Sequence, residues 1–279
     1  MISLEETYNQ AIKISRNIVE DIRFGRELYF YPAKICSIQI CRYQNNDTDI
    51  LTLLNSVQDK NPYMYSHPVN VAFLSLVIGR WLKLDELKLV NLVRAGLLHD
   101  LGKAKIKDSL LNKSDTLTLE EMEKMKSHPV VGYKLLDNAN EFDLEVLQGV
   151  LFHHERMDGT GYPLGLKNEK IHLFSRIIAI ADTFDAITAT KTYCNKKSPL
   201  KAVDEIQANS FNQLDPYICQ IFINNIIDYY NGRAIRLSNE QVGNIVYINP
   251  IKITKPLVLC ENEYHDLSVE NEIEVVELL

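Results

Sequence analysis

Apolar residues fall at helical spacing along most of this chain. Leu4, Ala11, Ile12, Ile14, Ile18 and Ile22 recur at mostly helical intervals and predict a helix over 3–24. Residues 28–48 carry no clear period, and Ile35–Ile40 is compatible with a short strand. Helical character returns near Asp49. From His67 to Leu84, Val69, Ala72, Phe73, Leu76 and Val77 mark one buried helix face. His67 and His128 each precede a proline, which places both at helix N-termini. Asp85 is a good N-cap for the next helix. There Leu89, Leu92, Val93, Gly96 and Leu97 form a stripe while Leu87, Val90 and Leu98 populate other faces, so it reads as a central helix. It ends at Asp100-Leu-Gly-Lys, with Gly102 as a natural C-terminal stop.

Thr118 and Glu121 have the spacing of a capping box, and helices are expected over 119–126, 129–137 and 143–154. Gly and Pro make 155–168 a loop. Another strongly apolar helix covers 172–190, followed by helices near 199–209 and 216–231. After Gly232 the helical period stops. Segments 243–250, 256–260 and 272–279 then read as three strands with turns between them. The expected organisation is a mainly α chain with a helical or irregular extension over 1–60, a helical domain over 61–232 and a small β subdomain over 233–279.

Polar residues that interrupt this pattern carry the candidate chemistry. His67, His99-Asp100, His128, His153-His154 and Asp182 include five of the seven histidines. Asp100 closes a helix with little polar surface, where an unpaired carboxylate would cost several kcal/mol. For one His-Asp pair alone, a carboxylate lying in water beyond the helix end is the better explanation. Asp182 and Asp185 pose the problem again, three residues apart in an apolar helix. One could bind metal and the other orient a ligand, or both could face solvent. Neighbours on a helix point about 100° apart, so His153 and His154 can share an ion only near a helix end, and the loop that follows supplies one. It is the joint occurrence that points to a metal centre, and metals with open coordination positions hydrolyse phosphate esters. His172 and His265 lie outside the pattern and receive no role.

Five separated motifs, in order, carry a family resemblance. They are Tyr65-Ser-His67-Pro-Val-Asn-Val-Ala72, His99-Asp100-Leu-Gly-Lys103, Lys126-Ser-His128-Pro-Val-Val-Gly132, His153-His-Glu-Arg-Met-Asp158-Gly-Thr-Gly161-Tyr162-Pro163, and Arg176-Ile-Ile-Ala-Ile-Ala-Asp182-Thr-Phe-Asp185-Ala. Over roughly 60–235 the chain resembles the HD-GYP family, a branch of the HD-domain metal-dependent phosphohydrolases. The resemblance implies an HD-type helical bundle; the tail from Leu237 is similar to a small β extension of some members. Family members hydrolyse cyclic di-GMP to the linear dinucleotide pGpG and in many cases on to GMP, with at least two ions, commonly iron or manganese. Carried over, Asp100 would bridge two metals, with His67, His99 and Asp182 completing one site and His128, His153 and His154 the other. Asp100 and Lys103 would be catalytic, and Lys103 and Lys191 would bind substrate. Lys103 is placed to contact a phosphate oxygen; without the resemblance, a solvated loop lysine is an equal reading. The loop around Tyr162 would shape the site edge or meet a partner.

The departures bear on substrate and metal number. Tyr63 stands where some members carry a Glu that supports a third metal, which favours two divalent ions. Lys191 replaces an Arg that can hold substrate phosphate, and Cys194 replaces another. Lys105 and Lys107 add positive charge where Gly and Pro are common. A cyclic dinucleotide other than cyclic di-GMP, or a nucleotide phosphomonoester, therefore remains open as substrate. So does a non-catalytic regulatory module that binds nucleotide or a GGDEF-type cyclase, and a homodimer is compatible with either.

Charge and cysteine content narrow the setting. The formal net charge is −7, so a duplex DNA or RNA binder, which would carry a basic face, is not expected. Five scattered cysteines (Cys36, Cys41, Cys194, Cys219 and Cys260) form no CxxC and read as reduced, mostly core thiols of a cytoplasmic protein; a redox or metal pair of Cys36 and Cys41 is the less favoured alternative. The acidic start has no secretory signal, and no apolar run approaches a membrane span.

Overall fold

A computed structural model describes residues 3–43, 46–57, 60–113, 115–189, 198–270 and 272–279. The chain divides into two compact units, Met1–Asp182 and Thr183–Leu279. That division differs from the expected boundaries at 60 and 232. The N-terminal helices pack on the following ones within the first unit, so compactness does not break at 60.

The first unit begins with α1 (Leu4–Arg23), opened by a capping box between Ser3 and Glu6. Helix α2 (Tyr31–Arg42) replaces the short strand expected at Ile35–Ile40. Its buried residues Ala33, Cys36, Ser37 and Ile40 are spaced by three or four, and that tertiary face outweighs the strand propensity of the isoleucines. Helix α3 (Asp47–Ser56) follows, and then α4 (Tyr63–Trp81).

Helix α4 differs from expectation twice. It is buried on every face from His67 to Gly79, and it starts a turn before His67. Pro68 therefore lies inside the helix rather than at its first position, and His67 is not at an N-terminus. Helix α5 (Glu86–Leu98) is capped by Asp85, whose side chain accepts the Lys88 amide at 2.9 Å. It is buried all round from Asn91 onward and packs on α2 and α4.

A 3-10 turn (Leu101–Lys105) leads to α6 (Asp108–Leu111), α7 (Leu119–Lys126), α8 (His128–Asp137) and α9 (Leu144–Phe152). Thr118 and Glu121 close the expected capping box of α7. Gly102 is not a helix stop, because the chain continues through it in the 3-10 turn. A Cβ on Gly102 would collide with the His128 carbonyl oxygen and lie 2.8 Å from the Gly132 nitrogen. The missing side chain lets the 3-10 turn lie against α8. Helix α10 (Leu173–Thr188) carries Asp182.

The second unit holds α11 (Pro199–Asn209), α12 (Pro216–Tyr230) and an antiparallel sheet ordered β4-β3-β2-β1-β5. Its strands are β1 (Ala234–Leu237), β2 (Val242–Tyr247), β3 (Leu257–Cys260), β4 (Glu263–Asp266) and β5 (Val275–Leu278). Among the described residues, five strands replace the three expected. The short β1 and the polar β4 gain their pairing from neighbours rather than from an apolar alternation of their own. Among the described residues, no helix is long and apolar enough to cross a membrane.

Candidate metal centre

Asp100 and all five histidines of the sequence pattern meet at the ends of α5, α8 and α9 and on one side of α4. Each arrives by a local rule. His99 and His153 are the residues at which α5 and α9 end, and His128 opens α8. In all three, Nδ1 faces the carbonyl three residues back: Gly96 at 2.8 Å, Met125 at 2.8 Å and Val150 at 2.7 Å. A carbonyl only accepts, so Nδ1 carries the proton, and a neutral ring turns the lone pair of Nε2 inward. His67 sits within α4, its Nδ1 3.0 Å from the Tyr63 hydroxyl.

The two oxygens of Asp100 face different histidines. Oδ1 lies 3.2 Å from His128 Nε2 and 3.8 Å from His153 Nε2. Oδ2 lies 3.5 Å from both His67 Nε2 and His99 Nε2, and 2.6 Å from Lys103 Nζ. Asp182 Oδ1 is 3.0 Å from His67 Nε2. Two groups of donor atoms result, Asp100 with His128, His153 and His154, and Asp100 with His67 and His99, each close enough to hold one ion.

The donor set fits a metal. His99 Nε2 and Asp100 Oδ1 are buried and have no hydrogen-bond partner among the described residues. The Nε2 atoms of His128 and His153 are 3.3 Å apart. Neutral lone pairs at that distance repel, whereas two nitrogens each roughly 2.1 Å from one ion lie about 3.0–3.4 Å apart. Imidazole and carboxylate donors suit first-row divalent metals.

The electrostatics agree. Burial opposes the charged form of Asp100, but the Lys103 ammonium beside it holds the carboxyl well below the usual range. Asp182 is likewise held well below that range, burial being overcome chiefly by His67. Burial keeps His99 and His153 neutral and pushes His154 down to about 3. Lys103 is raised, because Asp100 outweighs burial.

The loop after α9 contains features that the sequence pattern did not show. Buried Glu155 accepts the amides of Leu164 at 2.7 Å and Leu166 at 2.9 Å. The Tyr162 ring stacks on His154, with centroids 4.7 Å apart. An acidic residue at the entry to a Gly-rich loop was the available signal for Glu155; nothing local marked the stack. His172 faces Glu145 in the first unit, and His265 faces Glu270 in the second. Asp185 is buried in the second unit. Lys191 and Cys194 lie outside the described residues.

Residues 52–218 match the model of the HD domain family. The chain belongs to the HD-domain family. Its five motifs resemble those of the HD-GYP branch. The chain is 30% identical over 248 residues to a cyclic di-GMP phosphodiesterase of Pseudomonas aeruginosa, covering 87% of this chain and 60% of that protein. It is 34% identical over 169 residues to 3′3′-cGAMP-specific phosphodiesterase 3 of Vibrio cholerae, covering 60% of this chain and 36% of that protein. The chain thus spans less than two thirds of either relative. An HDG"Y"P protein from Bdellovibrio bacteriovorus shares the fold with a TM-score of 0.65 at 18% identity, over 80% of this chain and 71% of that one.

Proposed function

We propose that the chain is a metal-dependent phosphodiesterase that opens cyclic di-GMP to linear pGpG, with GMP following where the second ester is also cut. The observation that carries this reading is the convergence of histidine Nε2 atoms on the two oxygens of one buried aspartate. Asp100 would bridge two divalent ions, iron or manganese. His67, His99 and Asp182 would complete one site, and His128, His153 and His154 the other. Bound there, the ions would acidify water and neutralise the negative charge that grows on a phosphodiester under attack.

The chain's own residues supply the rest. The carbonyls of Gly96, Met125 and Val150 fix the tautomers that turn Nε2 toward the centre. Lys103 holds a positive charge at Asp100 and is about one-third exposed, which suits it to a phosphate oxygen at the mouth of the site. Lys191 would add a second phosphate contact, as a point charge rather than a fork.

The similarity to a 3′3′-cGAMP-specific enzyme supports one further reading, the same centre acting on another cyclic dinucleotide. Anaerobically purified, iron- or manganese-loaded protein should convert one member of a panel of cyclic dinucleotides, and Asp100→Ala should not. Conversion of cyclic di-GMP supports the first reading, and conversion of a different member the second. Binding of a cyclic dinucleotide without turnover by metal-replete protein would show a regulatory module instead.

A further inference from the structure

Four of the five histidines around Asp100 are oriented by a hydrogen bond at Nδ1, to a backbone carbonyl or to the Tyr63 hydroxyl. The His154 ring makes no hydrogen bond among the described residues. What surrounds its ring is aromatic: Tyr162 stacked at 4.7 Å and 26°, His128 edge-on at 4.9 Å and 87°, and His153 tilted at 4.2 Å and 44°. Two of those three neighbours belong to the donor set itself. Tyr162 is the one that does not.

We infer that Tyr162 is a positioning residue whose ring fixes the orientation of His154 by stacking and so sets the affinity of one of the two ions. The inference rests on His154 being a metal ligand.

The stack is held from the backbone. The Tyr162 amide donates to the His154 carbonyl at 3.1 Å, so the loop doubles back on the residue it covers. Glu155 fastens the far side of the loop through the Leu164 and Leu166 amides. Gly161 packs so tightly that a Cβ would collide with the His154 carbonyl oxygen and the Arg156 nitrogen. Those contacts hold the backbone that carries Tyr162 against His154. An imidazole with a hydrogen-bonded Nδ1 arrives at the metal already oriented, as the other four do. His154 obtains the same preorganisation from a flat apolar face, and the aromatic preference for stacked geometry supplies the direction. The hydroxyl takes no part in this role, so phenylalanine should serve as well.

The test is a Mn2+ titration of the metal-free full chain, followed by calorimetry and by the electron-spin signal of free Mn2+. Wild type should show two sites. Tyr162→Ala should weaken one of them by about 10–100-fold, the usual effect of losing a group that orients a ligand. The other site should be unchanged, and Tyr162→Phe should match wild type. His154→Ala should weaken the same site, and combining it with Tyr162→Ala should add no further loss, since both remove one device. Tyr162→Leu keeps apolar bulk without the flat face and should behave as Tyr162→Ala does, which covers the case in which the alanine variant misfolds. Wild-type affinities in both the alanine and leucine variants would overturn the role of the stack while leaving the metal centre intact. So would a phenylalanine variant as weak as alanine. Absence of Mn2+ binding by wild type would instead overturn the metal-centre reading on which the inference rests.

Discussion

Gly102, two residues after Asp100, lies against the backbone of α8. Any side chain there meets the backbone of α8, which cannot yield as a flexible side chain would. Gly102→Ala should therefore destabilise the fold by about 1–3 kcal/mol, the range for overpacking. It should also push Asp100 away from His128. Urea midpoint and bound metal should fall together; a variant with wild-type stability and metal content would contradict the close approach. His154 gives a second expectation. Burial holds its pKa at about 3 against an ordinary 6.5, so folding favours the neutral ring. The unfolded chain takes up its proton first, and the stability present above pH 6.5 is lost as the pH falls from 6.5 toward about 3. The melting temperature of metal-free protein should drop across that window, and His154→Leu should make the drop shallower. At this scale the sequence was highly legible, because His99, Asp100 and Asp182 are polar residues that apolar surroundings do not explain. The carbonyls that lock Nδ1 were not legible, since they depend on how each helix ends.

At the scale of elements, the loop from Glu155 to Asn168 is organised by one side chain. Glu155 supplies a buried carboxylate to two amides of the same loop. Glu155→Ala leaves both N–H groups without that acceptor and should cost about 1–3 kcal/mol. Hydrogen exchange at Leu164 and Leu166 should rise sharply, while exchange in α5 changes only as far as global stability does. Unchanged exchange at those two amides would contradict the clamp. Helix type and extent followed the periodicity well where caps were explicit, as at Asp85 and Thr118. They failed where tertiary burial overrode local propensity. Ile35–Ile40 joins α2 because its Cys36, Ser37 and Ile40 face inward. Helix α4 runs through Pro68 because the whole turn around it is buried.

At the scale of the molecule, the two compact units divide at Asp182, within α10, while the change from helical to strand pattern comes near residue 232. Periodicity marks where an element type changes; it does not say which faces pack, so it cannot give the division into units. What it does give is the order of the motifs, and five motifs in order point to one centre assembled from α4, α5, α8, α9 and α10. The claim of two ions joined by Asp100 is tested most directly by the metal-to-protein ratio of the full chain, loaded anaerobically with iron or manganese and desalted. Two ions per chain are expected in wild type, with both lost in Asp100→Ala. A ratio of one or less in folded wild-type protein would contradict the two-ion centre.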